Sequence, residues 1–403
     1  MDRTNVLQTA HNAHEAPTTS PKTPKIIRDV LAAADIQING PRAHDIQIHD
    51  PSLIDRVLRS WSLGLGEAYM DGHWDCEALD QCITRLLSID LDTNIRGSAR
   101  LLALLGILRT RLVNLQTVSR ASEVAHRHYN IDNTLFARML DPAMIYSCGY
   151  WENTNDLAQA QQDKLDMVCQ KLDLQPGERL LDIGCGWGGL AAHAARYYGT
   201  RVVGLTISEA QQALAKKTCD GLPVEIRLQD YRSLNEPFDK IVSVGMFEHV
   251  GDKNYAEYFR ITKNVLNPEG IFLLHTIGSY TTTARTDPWI DRYIFPNGKI
   301  PSATEITSAL EGHWVIEDWH NFGQDYDRTL MAWHKNFTEA WPDLAKHYDQ
   351  RFYRMWSYYL LGCAGYFRSR QGQLWQLVLT PRTRQTAYRS KRFQPLRASG
   401  LST

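Results

Sequence analysis

The sequence has no apolar run approaching the ~18 residues of a membrane-spanning helix. Its N-terminus lacks an apolar core of the secretory type, so no export signal is expected. It has no CxxC pair. Seven cysteines stand scattered at positions 76, 82, 148, 169, 185, 219 and 363. An odd, unpatterned set argues against a disulfide framework and for reduced thiols in a cytoplasmic protein. Charge of one sign is also missing: 44 Lys and Arg stand against 45 Asp and Glu, a net charge of −1. No global field then draws the chain to nucleic acid or membrane, and no nucleic-acid partner is expected. There is no Gly-x-Ser-x-Gly, which excludes the nucleophile elbow of a serine hydrolase. Around Glu248-His249 there is no His-x-x-x-His or paired-Cys spacing, so no metal site is expected. Internal repeats are absent.

What is present fills two or three domains, at about 150 residues each. The chain has 403 residues, 43% of them hydrophobic, ample for a packed core. Residues 1–24 are polar and rich in Thr, Ser and Pro, which predicts a disordered leader. Residues 25–92 predict a small, mostly helical N-terminal domain that contacts lipid. Within it, Ile36-Gln37-Ile38 and Ile46-Gln47-Ile48 alternate around a Gly-Pro turn, and Pro51 opens a helix. Residues 93–130 predict a basic helical linker. Five arginines (Arg96, Arg100, Arg109, Arg111, Arg120) surround the apolar run Leu101 to Leu108, with no acid between residues 93 and 122. That pattern suits a helix lying on anionic lipid, or equally a linker whose stripe is buried. On the lipid reading, reversing Arg109 and Arg111 to Glu weakens vesicle binding. Residues 350–403 carry ten Lys and Arg and no acid, a second basic stretch that is either solvated or drawn to headgroups.

Residues 131–403 alternate strand and helix signals. Strands are predicted at 179–184, 201–206, 224–229, 239–245 and 270–277, with Trp314 to Trp319 and Leu374 to Leu379 as a closing antiparallel pair. This is an α/β pattern with a mostly parallel sheet and ligands at the strands' C-terminal ends. The first strand runs into Leu181-Asp182-Ile183-Gly184-Cys185-Gly186-Trp187-Gly188-Gly189, and a small-residue helix follows. Glycines there let a ligand press on the backbone while helix N–H groups face it. Gly184, Gly186 and Gly189 fit a dinucleotide pattern, but that site wants an acid ending the second strand, about 20 residues on. The second strand ends in Thr206-Ile207-Ser208, and Glu209 stands at a helix start. Asp182, Gly184, Gly186 and Gly188 fit the acidic-x-Gly-x-Gly-x-Gly pattern of S-adenosylmethionine binders, the favoured cofactor.

Chemistry-bearing residues gather at the strand tips. The fourth strand ends in Gly245-Met246-Phe247-Glu248-His249-Val250-Gly251 and the fifth in His275-Thr276-Ile277-Gly278. Neighbouring strands bring Glu248 and His275 over one pocket, a buried carboxylate beside an imidazole. Singly, each also reads as a helix cap or a core histidine. Tyr146-Ser147-Cys148-Gly149-Tyr150-Trp151 places three aromatics around a cysteine, suited to a cation or to sealing a domain junction. No base pairs with Cys148 in sequence.

These motifs resemble those of the cyclopropane-fatty-acyl-phospholipid synthase family, S-adenosylmethionine enzymes with a Rossmann-like domain. The resemblance rests on Ser62 to Gly72, Tyr146-Ser147-Cys148, Leu181 to Gly189, Thr206 to Gln212, Leu228 to Tyr231, Gly245 to Gly251, Leu274 to Gly278, Phe295 to Gly298 and Phe322 to Tyr326. It runs from about residue 26 to 380, departing only in the leader and the C-terminal tail. It implies transfer of a methylene from S-adenosylmethionine to the cis double bond of an unsaturated phospholipid chain. In that reaction a methylated carbocation loses a proton to bound bicarbonate. By resemblance, the bicarbonate cradle is Cys148 and Ile277 (main chain), Glu248, His275 and Tyr326. The cofactor residues are Tyr146, Ser147, Gly184, Gly186, Gly188, Thr206, Gln211, Asp230 and Tyr231. Cys363 matches a cysteine long suspected in the family, although carbocation chemistry calls for no thiolate. The resemblance also implies a homodimer, peripheral at the inner face of the membrane. Two other readings stay open: an enzyme stopping at the methyl stage, and a non-catalytic lipid-binding protein.

Overall fold

The computed structural model describes residues 23–89, 133–283 and 286–391. Residues 1–22 of the predicted leader, the basic linker with Arg109 and Arg111, and the end of the basic C-terminal stretch lie outside the described residues.

The apolar runs form a seven-stranded sheet of order β5-β4-β3-β6-β7-β9-β8. Its strands are β3 (Arg179–Ile183), β4 (Arg201–Thr206), β5 (Val224–Leu228), β6 (Phe238–Val244), β7 (Leu266–Gly278), β8 (Trp314–Asn321) and β9 (Gln373–Pro381). Strands β3 to β7 pair in parallel; β9 pairs antiparallel with both β7 and β8. The order reverses between β3 and β6, which opens a crevice at their C-terminal ends. Side chains alternate between two cores. Leu180, Val202, Val242 and Leu273 face helices α5 (Leu157–Lys171), α6 (Gly189–Tyr198) and α7 (Glu209–Thr218). Leu181, Val203, Ile241 and Leu274 face α8 (Tyr255–Val265) and α10 (Ala303–Leu310). Both faces of the sheet are thus covered, as near-continuous apolar strands require. This is a Rossmann-like α/β fold.

A third core lies beside the sheet. It joins α1 (Lys25–Ala33), α2 (Ser52–Met70) and α3 (Leu79–Leu87) to α4 (Asn133–Met139), α9 (Pro288–Tyr293), α11 (Gln324–Leu344) and α12 (Gln350–Arg368). Trp74, Phe136, Trp333 and Trp356 are fully buried there. The N-terminal segment is mostly helical, as expected, but its core continues into α11 and α12.

One expected pairing differs. Gln47–Ile48 (β1) pairs antiparallel with Trp74–Asp75 (β2), while Ile38 reaches Ile46 only through an isolated bridge. The intervening loop winds around the buried Asp45 carboxylate. That group accepts from the Gln37 and Arg42 amides at 2.8 and 3.0 Å and from the Arg42 guanidinium. This network turns the chain away from a simple hairpin. Helix α2 is continuous in sequence pattern but breaks at Trp61, whose φ is 47° and ψ −120°.

Candidate functional site

Gly184, Gly186 and Gly188 take φ of 86°, 54° and 85°, so the chain leaves β3 and enters α6 without side chains in the way. The turn opens on a pocket of about 210 Å³ in the crevice between β3 and β6. Of the expected cofactor residues, Tyr146, Ser147, Asp182, Gly184, Gly186, Thr206, Gln211, Asp230 and Tyr231 line it. Gly188 does not: it caps α6, where an added Cβ would lie 3.0 Å from the Cys219 sulfur. Its glycine serves helix packing instead. Glu209 is a first-turn charge of α7, whose N-cap Ser208 accepts from the Gln211 amide.

The Tyr146-Ser147 loop is held from below. The Asp141 carboxylate accepts from the amides of Ala143 and Ile145, both at 2.9 Å. The Gln161 amide donates to the Ser147 carbonyl at 2.7 Å, and the Lys164 ammonium to the Ser147 hydroxyl at 2.9 Å. Lys164 lines the pocket although its side chain is buried. Burial brings its ammonium down to about 8. The Asp182 carboxyl, buried opposite, is pushed up to about 7, with Lys164 opposing the shift. Thr206 Oγ1 donates to Gln211 Oε1 at 2.8 Å, and both residues line the pocket. Asp230 accepts from the Arg232 amide at 2.8 Å and the Arg232 guanidinium at 3.0 Å.

Of the other predicted residues, Glu248, His275 and Ile277 gather where β6 and β7 end. Glu248 Oε1 accepts from the Ile277 amide at 2.7 Å, joining the two strand ends as expected. Neither Glu248 nor His275 lines the 210 Å³ pocket, although Met246, His249 and Val250 beside Glu248 do. The His275 ring meets the Phe322 ring at 5.7 Å between centroids. Burial lifts the Glu248 carboxyl to about 7, and its Oε2 has no partner. His275 is buried and neutral, with Gln376 Nε2 donating to Nδ1 at 3.2 Å. The ring proton then sits on Nε2, which has no partner. Cys148, Ile277 and Tyr326 meet in one apolar cluster with Tyr150, Met167, Phe322 and Leu374. The Tyr326 ring stacks on Phe367 at 4.5 Å. Burial keeps the Cys148 thiol and Tyr326 phenol protonated. Cys363 lies on α12 near Tyr326, and burial pushes its thiol up to about 12, so it supplies no thiolate at neutral pH.

Sequence reasoning missed Lys164 and Gln161. The available signal was their period. Gln161, Lys164, Val168 and Lys171 fall at i, i+3, i+7 and i+10, so polar residues occupy the core-facing stripe of α5. It also passed over His249, which lines the pocket and is pushed down to about 4 by burial.

The model of the mycolic acid cyclopropane synthetase family matches residues 116–377. The chain is 53% identical to the cyclopropane-fatty-acyl-phospholipid synthase of Escherichia coli strain K12 over 88% of its own length and 93% of that protein. The solved cyclopropane synthase MmaA2 from Mycobacterium tuberculosis is 32% identical, covers 66% of this chain and 99% of its own, and superposes with a TM-score of 0.61. Mycolic acid cyclopropane synthase CmaA1, solved in complex with SAH and CTAB, is 30% identical over 64% of this chain and 97% of its own, with a TM-score of 0.60. With a glycine-rich cofactor turn, a pocket at the sheet's reversal point and relatives of this kind, the chain belongs to the cyclopropane synthase family of S-adenosylmethionine-dependent methyltransferases.

Proposed function

We propose that this enzyme transfers a methylene group from S-adenosylmethionine to the cis double bond of an unsaturated phospholipid acyl chain, closing a cyclopropane ring. One observation carries the reading. Two buried polar atoms, Glu248 Oε2 and His275 Nε2, stand without partners beside the aromatic cluster around Tyr326. Simple methyl transfer needs no polar cradle there, whereas ring closure needs a proton acceptor held near a cation in a dry, aromatic-walled site.

The donor set fits a small oxyanion. Neutral His275 offers an N–H, Tyr326 an O–H, and Glu248, with its carboxyl near 7, an O–H in its protonated share. No fixed positive charge lies in this set to oppose a carbocation. Bicarbonate bound there would supply a base too weak a nucleophile to trap the cation. Glu248, held by the Ile277 amide, orients the anion and can share its proton with it. In the neighbouring pocket, Tyr146 and Ser147 stand over the Gly-rich turn, where Lys164 and Gln161 fix their position.

The acceptor would reach the site from a membrane surface on the cytoplasmic side, with the enzyme a peripheral homodimer, as the resemblance implies. No described helix is long and apolar enough to cross a membrane. The test incubates the protein with dioleoyl phospholipid vesicles and S-adenosylmethionine and weighs the lipid. Gain of one CH2 with loss of the double bond supports ring closure. The same gain with a surviving double bond means transfer that stops at the methyl stage. In buffer stripped of carbon dioxide, turnover falls and added bicarbonate restores it; turnover indifferent to bicarbonate overturns that part of the proposal.

A further inference from the structure

The backbone at Trp61 matches the first central position of a type II′ turn, a place taken by glycine because an L side chain is strained there. This chain puts its largest side chain at that position. The reversal is tight. A Cβ on Gly64 would lie 2.1 Å from the Arg56 carbonyl oxygen, whereas eight residues of straight helix would separate the two by about 12 Å. So α2 folds back on itself, with Trp61 at the corner.

Trp61 is 46% exposed, more than any other tryptophan among the described residues, and Leu58 beside it is 40% exposed. Arg59 on the same corner is also exposed. A strained backbone and a wet indole are both unfavourable, and their coincidence points to a partner outside the chain. The corner is also tied to the catalytic body. A Cβ on Gly66, five residues on, would lie 2.4 Å from the Trp289 ring. Trp289 belongs to α9, and the segment just after α9 supplies Pro296 and Asn297 to the cofactor pocket wall.

We propose that the Trp61 corner is a membrane wedge: Trp61 and Leu58 enter the interfacial layer of an anionic phospholipid bilayer while Arg59 meets its headgroups. Indole rings favour that layer, having an apolar body and one N–H donor. A guanidinium pairs with phosphate there. Asp55, one turn back and exposed, moderates the local charge, so the apolar pair carries most of the attraction. The inference rests on the reading that the substrate is a membrane lipid, and its test does not depend on turnover.

Three variants of the full chain, Trp61→Gly, Trp61→Asn and Trp61→Phe, are sedimented with vesicles of dioleoyl phosphatidylglycerol and phosphatidylethanolamine. Glycine relieves the turn, so Trp61→Gly holds or raises the melting temperature while vesicle partition falls at least about fivefold. Trp61→Asn behaves alike, and Trp61→Phe keeps partition within about twofold of the parent. Activity on the same lipid dispersed in detergent is unchanged. Vesicle partition unaltered in Trp61→Gly overturns the proposal. So does a changed sedimentation coefficient with unaltered partition, which makes the corner a contact with a second copy. So does a loss of partition that only tracks a fall in melting temperature in all three. If partition responds as stated but neither vesicles nor detergent lipid gains mass, the wedge stands and the lipid-methylene reading falls.

Discussion

Glu248 and Asp182 illustrate how much burial does at single residues here. Each carboxyl is raised to about 7, from ordinary values of 4.5 and 3.8. Both bind protons more tightly folded than unfolded. The stability they contribute is therefore complete below about pH 4 and is lost as pH rises through 7. Urea titrations should show the ligand-free enzyme losing a few kcal/mol over that window, with a shallower loss in Glu248→Gln. Because Glu248 stands outside the cofactor pocket, Glu248→Ala should bind S-adenosylhomocysteine within about twofold of the parent while kcat drops by about 100-fold or more. Calorimetry and the vesicle assay read the two separately, and a fully active variant sinks the cradle. The strand-tip residues were legible because a charge ending an apolar run stands out in one dimension. Lys164 was not, since a lysine within a polar-looking helix reads as solvated until the fold turns that stripe inward.

Elements were legible where their period was strong. The five parallel strands fall within a few residues of their expected places. The insertion of β9 between β7 and β8 could not be read, because pairing order across some hundred residues leaves no local mark. The corner in α2 was hidden for a simpler reason: its sequence signal would be a glycine, and a tryptophan stands there instead. Helix α5 transmits its N-terminus to the cofactor loop. Asp156 caps it by accepting from the Gln159 amide at 2.9 Å, and Gln161 and Lys164 follow within two turns. Asp156→Ala should cost about 1 kcal/mol of stability. Its fraying would also loosen Ser147, so affinity for S-adenosylhomocysteine should fall more than that of a variant capped elsewhere, such as Ser302→Ala at α10. Equal affinities in the two would show that the cap acts on stability alone.

At the scale of the whole molecule, three cores divide the labour. Two clamp the sheet, and the third, between the N-terminal helices and α11–α12, builds the wall that carries Tyr326. Sequence reading placed a boundary near residues 93–130, because composition changes there. It had no means of telling that α3 packs on α12, some 280 residues away, where Gly365 leaves room for the Asp80 carbonyl. That contact has a calorimetric meaning. A chain whose residues 23–89 share their core with α11 and α12 does not melt in two steps. Differential scanning should give one endotherm, with van't Hoff and calorimetric enthalpies in agreement. Two fragments cut between residues 90 and 132 should each be unstable alone and regain cofactor binding only when mixed. In genetic terms, the two ends of the gene are then a single unit of inheritance: a substitution in α3 and one in α12 answer to each other, and a recombinant that swaps one without the other inherits a seam instead of a core.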